Sequence, residues 1–441
     1  MKMKSGLYSL IFFLLFCITP TGIAQANKVY IDIDAPGFQQ FPIAVCDFQS
    51  KRPGQGSSPD PNPAISDDIR NYLQLSGIFY VLDKKSFLVG AAPGNPEKIH
   101  YPDWSVIGAD FLLCGEMISI SGELTAEARL YDVTRGKILF QKRYGSADKT
   151  GDRTTLARAI ASDIMMTLTG DEGDFNTQIA FVIKKDGRAD IHTIRYDSSG
   201  LIPVTAHQSI VLSPRWSPDG QLLAFTSYKN GRPEVYLRHL KTGKERKVAS
   251  FGGLNLCGSF SPDSRKLLLT LSKDENEEIY TLEIETLAFK RLTRHSAIDV
   301  SPAWSPDGNK IAFVSSRSGS PQIFVMDADG NNVKRITYDG NYNTSPSWSP
   351  RGDRIAYEGR IHGKYQIFSV DGEGGNLLQL TFDDADNEYP SWSPSGRQIV
   401  FSSRQGAKSR ISIMNANGLN VRILKEHKDI LMMPSWSPVL K

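Results

Sequence analysis

Trp304-Ser305-Pro306-Asp307-Gly308 is one of six copies of a turn that recurs every 44 residues. The others are Trp216-Ser217-Pro218-Asp219-Gly220, Phe260-Ser261-Pro262-Asp263-Ser264, Trp348-Ser349-Pro350-Arg351-Gly352, Trp392-Ser393-Pro394-Ser395-Gly396 and Trp436-Ser437-Pro438-Val439-Leu440. Five of the six tryptophans in the chain fill the first position, a register that chance does not produce. A strict period of roughly 40 to 50 residues is that of a four-stranded propeller blade.

Each unit has the contents of such a blade. An apolar run follows the turn, as in Leu222-Leu223-Ala224-Phe225 and Gln398-Ile399-Val400-Phe401. Turns that favour positive φ come next: Asn230-Gly231, Ser318-Gly319, His362-Gly363 and Gln405-Gly406. A third strand such as Gln322-Ile323-Phe324-Val325-Met326 alternates with period two, as a half-buried strand does. A further Gly turn (Asp329-Gly330, Glu373-Gly374, Asn417-Gly418) leads to an outer strand, read for one blade as Val333-Lys334-Arg335-Ile336-Thr337. Four short strands joined by tight hairpins make a twisted blade.

Ring closure is also legible. Counting 44 back from Trp216 reaches Glu172, where the motif is missing, yet Ile179-Ala180-Phe181 aligns with Leu223-Ala224-Phe225. The first blade therefore starts without its innermost strand. Pro434-Ser435-Trp436-Ser437-Pro438 is an innermost strand without the rest of a blade. Together the two fragments complete one blade and remove a free sheet edge. The expected fold is an α/β amino-terminal domain (27–170) followed by an all-β six-bladed propeller (177–441), about 44 residues per blade, closed by the carboxyl-terminal strand.

The remaining segments frame this core. Lys2 and Lys4, the apolar run from Leu7 to Ile18, and Ala24-Gln25-Ala26 read as a signal peptide over 1–26, cleaved after Ala26. The run ends at Thr19-Pro20, short of the roughly 20 apolar residues that a membrane span needs. In the domain that follows, Val29 to Ile33 and Phe41 to Val45 read as strands, and Pro53 to Pro63 as a loop. A helix is expected from about Ala64 to Leu75, a strand from Ile78 to Leu82 and a short helix from Trp104 to Ile107. Strands follow around 111–114, 124–131 and 137–144. The last helix has Asp152 as its N-cap, Ala157, Ile160, Ala161, Ile164, Met165 and Leu168 on one face, and Gly170 as its C-cap.

Composition narrows the function. Net charge is +3, or +1 without Lys2 and Lys4, and no basic stripe suits a nucleic-acid backbone. Removing Cys17 leaves Cys46, Cys114 and Cys257, an odd number in which buried packing of Cys46 and Cys114 is favoured over a disulfide. No nucleophile elbow, zinc-protease helix, P-loop or dinucleotide fingerprint is present, so no catalytic residue and no metal ligand is assigned. The Asp-Gly pairs after Trp-Ser-Pro read as turn residues rather than calcium ligands. No cofactor is expected, with calcium in the channel left as an open alternative.

The 44-residue register also groups His207, Phe251, His295, Asp339, Asp383 and His427 after the outer strands. Three residues before the repeat proline it groups Val211, Asn255, Asp299, Asn343, Asn387 and Leu431. Equivalent positions of a closed ring surround its axis, so these loops share one face. Two readings stand side by side: polar residues that stabilise the turns, and a docking surface. Six-fold spacing holds the three histidines apart, which argues against a metal cluster.

A leader, a small α/β domain and six repeats of the x-Pro-x-Trp-Ser-Pro-Asp-Gly type, with no hydrolase domain, resemble the TolB family of the Tol–Pal cell-envelope system. The resemblance spans essentially the whole chain after the leader. It implies a periplasmic, non-enzymatic adaptor that supports outer-membrane integrity and constriction in cell division. By position it implies that the peptidoglycan-associated lipoprotein Pal docks on the loops holding Leu254, Asn255, Asp299, Val300, Asn343, Thr344, Asn387 and Glu388. It likewise implies that the carboxyl-terminal domain of TolA engages residues 27–34 (Asn27, Val29, Ile31, Ile33, Asp34), whose alternation suits addition to a sheet edge. Packing of that segment as a native first strand is the other reading. Gly258 and Phe260 depart from the repeat's Pro and Trp, and Arg351 and Ser395 from its Asp. The alternative function is a secreted propeller hydrolase or a carbohydrate- or peptide-binding protein.

Overall fold

A computed structural model describes residues 39–51, 60–88, 99–120, 123–145 and 152–440. Asn27, Val29, Ile31, Ile33, Asp34 and the leader lie outside these residues.

In the amino-terminal domain, β1 (Phe41–Val45) lies between β4 (Phe79–Val81) and β5 (Phe111–Ile120), parallel to both. The far half of β5 pairs with β2 (Phe48–Lys51), which carries β3 (Asp60–Asn62) on its other edge. Hairpin strands β6 (Glu123–Asp132) and β7 (Lys137–Gly145) extend the sheet from the opposite side of β5. Helices α1 (Pro63–Leu75) and α3 (Arg153–Thr169) pack together over one face, and α2 (Tyr101–Val106) puts Trp104 against the other. The caps of α3 are as the sequence suggests: Asp152 accepts from the Thr154 N–H at 2.9 Å, and Gly170 takes a left-handed φ of 82°.

Six four-stranded sheets then form the ring. In the first, the strand Ile430–Trp436 pairs antiparallel with Gln178–Lys185, Leu431 opposite Ile183 and Trp436 opposite Ile179. The chain's last strand thus closes the toroid from within its first blade. Each innermost strand carries a bulge before its tryptophan slot. Ser213, Ser301, Ser345, Tyr389 and Met433 adopt positive φ there, each followed by a proline. The bulge takes that proline out of the ladder, which it has no N–H to join. The third blade has Gly258 instead, where a Cβ would stand 2.9 Å from both Leu268 O and Pro302 Cγ of the next blade.

Four of the six outer strands are short, two or three residues, and the cause repeats. The fourth blade keeps only Lys334–Arg335 of the five residues expected. Beyond it the Ile323 N–H donates to the Thr337 hydroxyl at 2.9 Å. The same bond joins Ile191 to Thr205, Ile279 to Thr293 and Ile367 to Thr381, each at 2.9 Å. Where the register puts Ala249 or Lys425 in place of the threonine, the backbone ladder continues and the outer strands run Glu245–Ala249 and Arg422–His427. A side-chain hydroxyl has taken over the role of the next main-chain acceptor.

Tryptophans tie neighbouring blades. Trp216 Nε1 donates to Ser435 O at 3.1 Å and Trp392 Nε1 to Ser347 O at 3.0 Å. Trp436, at the seam, donates to the Thr177 hydroxyl at 2.9 Å and is buried against Tyr196. Trp348 is only half-buried and its indole reaches no farther than Gly352 O of its own turn, at 3.4 Å. Truncation of the seam tryptophan, Trp436→Ala, is therefore expected to cost about 3–5 kcal/mol of stability, and Trp348→Ala less than half as much. Urea denaturation of the two variants measures both; equal losses would show that closure does not rest on this seam.

Candidate functional site

Strand direction alternates within a blade, so its turns fall into two sets. Those joining first to second and third to fourth strands lie at one end of the toroid. Those joining second to third strands, and one blade to the next, lie at the other. The amino-terminal domain occupies the first end. Gln398 Nε2 donates to Leu75 O at 3.1 Å, and Tyr196 Oη donates to the same carbonyl at 2.6 Å. Asn420 Nδ2 donates to Gly77 O at 3.3 Å and Tyr72 Oη to Asp197 at 2.7 Å. Ser395 donates its N–H and hydroxyl to the buried Asp174, and Arg397 is paired with Asp171. Gly77, at a φ of 71°, leaves room for Asn415, whose Oδ1 would stand 2.3 Å from any Cβ there.

The opposite end carries the blade-to-blade loops and the sequence-derived residues. They divide into two layers. Asn255, Asp299, Asn343 and Asn387 are buried within their own turns. Asn255 Oδ1 accepts from the Phe251 N–H at 3.0 Å while its Nδ2 donates to Phe251 O at 2.9 Å. Asn343 Nδ2 bridges Gln322 Oε1 at 2.9 Å and Asp339 O at 2.8 Å. Asn387 Nδ2 donates to Asp383 at 2.7 Å, and Arg317 to Asp299 at 2.7 Å. These four side chains are engaged in hydrogen bonds that hold the loops in shape. Leu254, Val300, Thr344 and Glu388, one residue away in each loop, are half-exposed.

Sequence reading missed the apolar tips of this face. Phe382 is 77% exposed, Tyr338 65% and Ile298 47%. A signal for two of them was present: Thr337-Tyr338-Asp339 and Thr381-Phe382-Asp383 stand 44 residues apart, an aromatic between the bridging threonine and the loop aspartate. Arg335 lies over the Tyr338 ring, and Tyr342 meets Tyr365 edge-on at 5.8 Å. The neighbouring histidine position is structural in the second blade, where His207 contacts the Ser227 hydroxyl at 2.8 Å and Glu245 at 3.0 Å.

Inside the ring the six innermost strands line a channel of about 580 Å³, with Arg215, Tyr342, Glu358 and Tyr389 on its wall. Thr344 donates to the buried Glu358, which also accepts from the Tyr389 N–H at 2.8 Å. Burial raises the Glu358 carboxyl above its usual range. Among the described residues no group of three or more His, Cys, Asp or Glu could hold a metal ion. Asp219, Asp263 and Asp307 accept from the serine hydroxyls of their own turns at 2.5–2.6 Å.

Glu388 is half-buried, near the Glu358 carboxylate. Burial first, then the Glu358 carboxylate, pushes its carboxyl up to about 7. In the unfolded chain a glutamate titrates near 4.3. Between these two values only the unfolded state releases the proton, so this group's contribution to stability is present below about pH 4 and is lost as pH rises through 7. Glu388→Gln is expected to flatten that part of the profile, so the wild type loses more of its melting temperature than the variant between about pH 5 and pH 8. Thermal scans at the two pH values test this, and parallel profiles would rule it out.

Comparison with known proteins bears on this arrangement. The family described as "TolB beta propeller domain" matches residues 165–440, and "TolB amino-terminal domain" matches residues 29–139. The chain is similar to the Tol-Pal system protein TolB of Syntrophus aciditrophicus, 46% identical over 207 residues, covering 45% of this chain and 44% of that protein. It is 37% identical over 219 residues to the Tol-Pal system protein TolB of Geobacter sulfurreducens, covering 49% and 48%. The chain thus spans less than half the length of these curated relatives. The crystal structure of TolB from Acinetobacter baumannii superposes with a TM-score of 0.81 at 29% identity, covering 91% of this chain and 97% of that one.

Proposed function

Given that this chain belongs to the TolB family, we propose that it is a periplasmic component of a Tol–Pal system that binds proteins and catalyses nothing. In this reading Pal docks on the blade-to-blade loops, TolA engages residues 27–34, and the assembly supports outer-membrane integrity and constriction in division.

The observation that carries the proposal is the division of the toroid into two unlike ends. One carries the chain's own amino-terminal domain, buried and hydrogen-bonded against the first and sixth blades. The other presents Ile298, Tyr338 and Phe382 on loops that buried asparagines and an aspartate hold rigid. Exposed aromatics on a stiff frame are the means by which protein interfaces gain energy with little ordering cost. The aspartates of the Trp-Ser-Pro-Asp turns accept from their own serines, which suits turn residues.

The test is capture of Pal by purified protein. Tyr338→Ser combined with Phe382→Ser is expected to weaken Pal binding at least about tenfold, a loss of about 1.4 kcal/mol, with an unchanged melting temperature. Unaltered capture would remove Pal from this face. Deletion of residues 27–34 is expected to abolish TolA binding and leave Pal binding in place. Equal loss of both would contradict the assignment of two separate sites.

A further inference from the structure

Cys46 directly follows β1, and Cys114 lies within β5. The two strands run parallel in register, with Ala44 opposite Leu112 and Val45 opposite Leu113. One step further sets Cys46 beside Cys114, and the Cys46 N–H donates to Leu113 O at 2.9 Å. Alternation turns both side chains to the face that also carries Ala44 and Leu112, against Trp104 and Tyr131. Their sulfurs stand 2.9 Å apart and both residues are buried. Adjacent strands lie about 4.8 Å apart, inside the roughly 4.4–6.8 Å Cα separation that disulfides span. Cys257 belongs to the propeller's third blade, where its thiol meets Gly258 O, so it does not compete for either partner.

We propose that Cys46 and Cys114 are a modification site at which the exported chain acquires a disulfide stapling β1 to β5. The pairing itself rests on strand register. Only the supply of oxidant depends on the periplasmic reading above. The oxidant belongs to the class of exchangeable disulfides, such as an oxidised dithiol protein or oxidised glutathione. One cysteine thiolate attacks a sulfur of that disulfide, forming a mixed disulfide and releasing one thiol of the oxidant. The second cysteine thiolate attacks the protein sulfur of the mixed disulfide, closes the Cys46–Cys114 bond and expels the oxidant's other sulfur as a thiol. Two electrons pass to the oxidant, and the two protons shed by the cysteines end on its thiols.

Timing follows from the packing. Burial, and the neighbouring Cys46, hold the Cys114 thiol well above the usual cysteine range, so little thiolate forms once Trp104 and Tyr131 cover the pair. Exchange therefore precedes closure of this small core, and the finished bond is shielded from reductants. The two cysteines are 68 residues apart in the chain, long enough for the link to restrict the unfolded state strongly.

The test uses the full chain, once exported without reductant and once refolded from denaturant with oxidised and reduced glutathione. Remaining thiols are alkylated under denaturing conditions, and peptides are mapped by mass spectrometry. The expected result is a linked pair of peptides holding Cys46 and Cys114, with Cys257 alkylated. Reduction is expected to lower the melting temperature of the amino-terminal domain by on the order of 10 °C. That shift should vanish in Cys46→Ala/Cys114→Ala and persist in Cys257→Ala. A link formed on refolding but missing from the exported chain supports the pairing and counts against the periplasmic reading. Alkylation of both Cys46 and Cys114 after refolding overturns the proposal.

Discussion

The pairing of Ile430–Trp436 with Gln178–Lys185 is the contact on which the toroid depends. Every other blade is contiguous in sequence and forms its sheet from local hairpins. The first blade alone must bring together strands separated by most of the propeller, so it carries the loop-closure entropy that the others avoid. What offsets that cost is concentrated at the seam. Ser437 N–H donates to Gln178 O and Leu440 N–H to Asn176 O, both at 2.9 Å. Trp436 is buried there, packed on Tyr196 and bonded to Thr177.

The 44-residue register makes most of this readable in the sequence. Its arithmetic located the blades, the missing innermost strand and the strand that replaces it. The same register also carries the length of the outer strands. Thr205, Thr293, Thr337 and Thr381 sit at one position of the repeat, and Ala249 and Lys425 at the same position elsewhere. That single alternation decides whether an outer strand stops after two or three residues or runs for five or six. Outer strands resist sequence reading because a hydroxyl and a carbonyl are interchangeable acceptors there, and hydrophobic periodicity reports neither.

Legibility of the candidate site was partial for a related reason. The polar residues at the ring position are prominent in sequence because they repeat, and they repeat because each holds its own turn. Asn255, Asn343 and Asn387 are engaged by their own loops, and Asp299 by Arg317. Tyr338 and Phe382 stand out only once exposure is known, since an aromatic in a strand-rich chain ordinarily signals core. Likewise Cys46 and Cys114 lie in apolar runs that predict burial correctly, while the parallel register that sets them side by side belongs to the sheet's topology.

The amino-terminal domain is placed to serve the seam. One continuous core joins α1 and α3 to Ile179, Phe181, Ile194 and Tyr196 of the first blade, to Val400, Ile411 and Ile413 of the sixth, and to Leu431 and Trp436 of the closing strand. The domain therefore packs on the first blade, within which the ring is closed without a covalent link, and on the sixth, from which the closing strand comes. Parting the closing strand from the first blade would expose part of that shared core, and undocking the domain would expose the face behind Trp436. Closure and docking are one cooperative event, since each buries apolar surface that the other supplies.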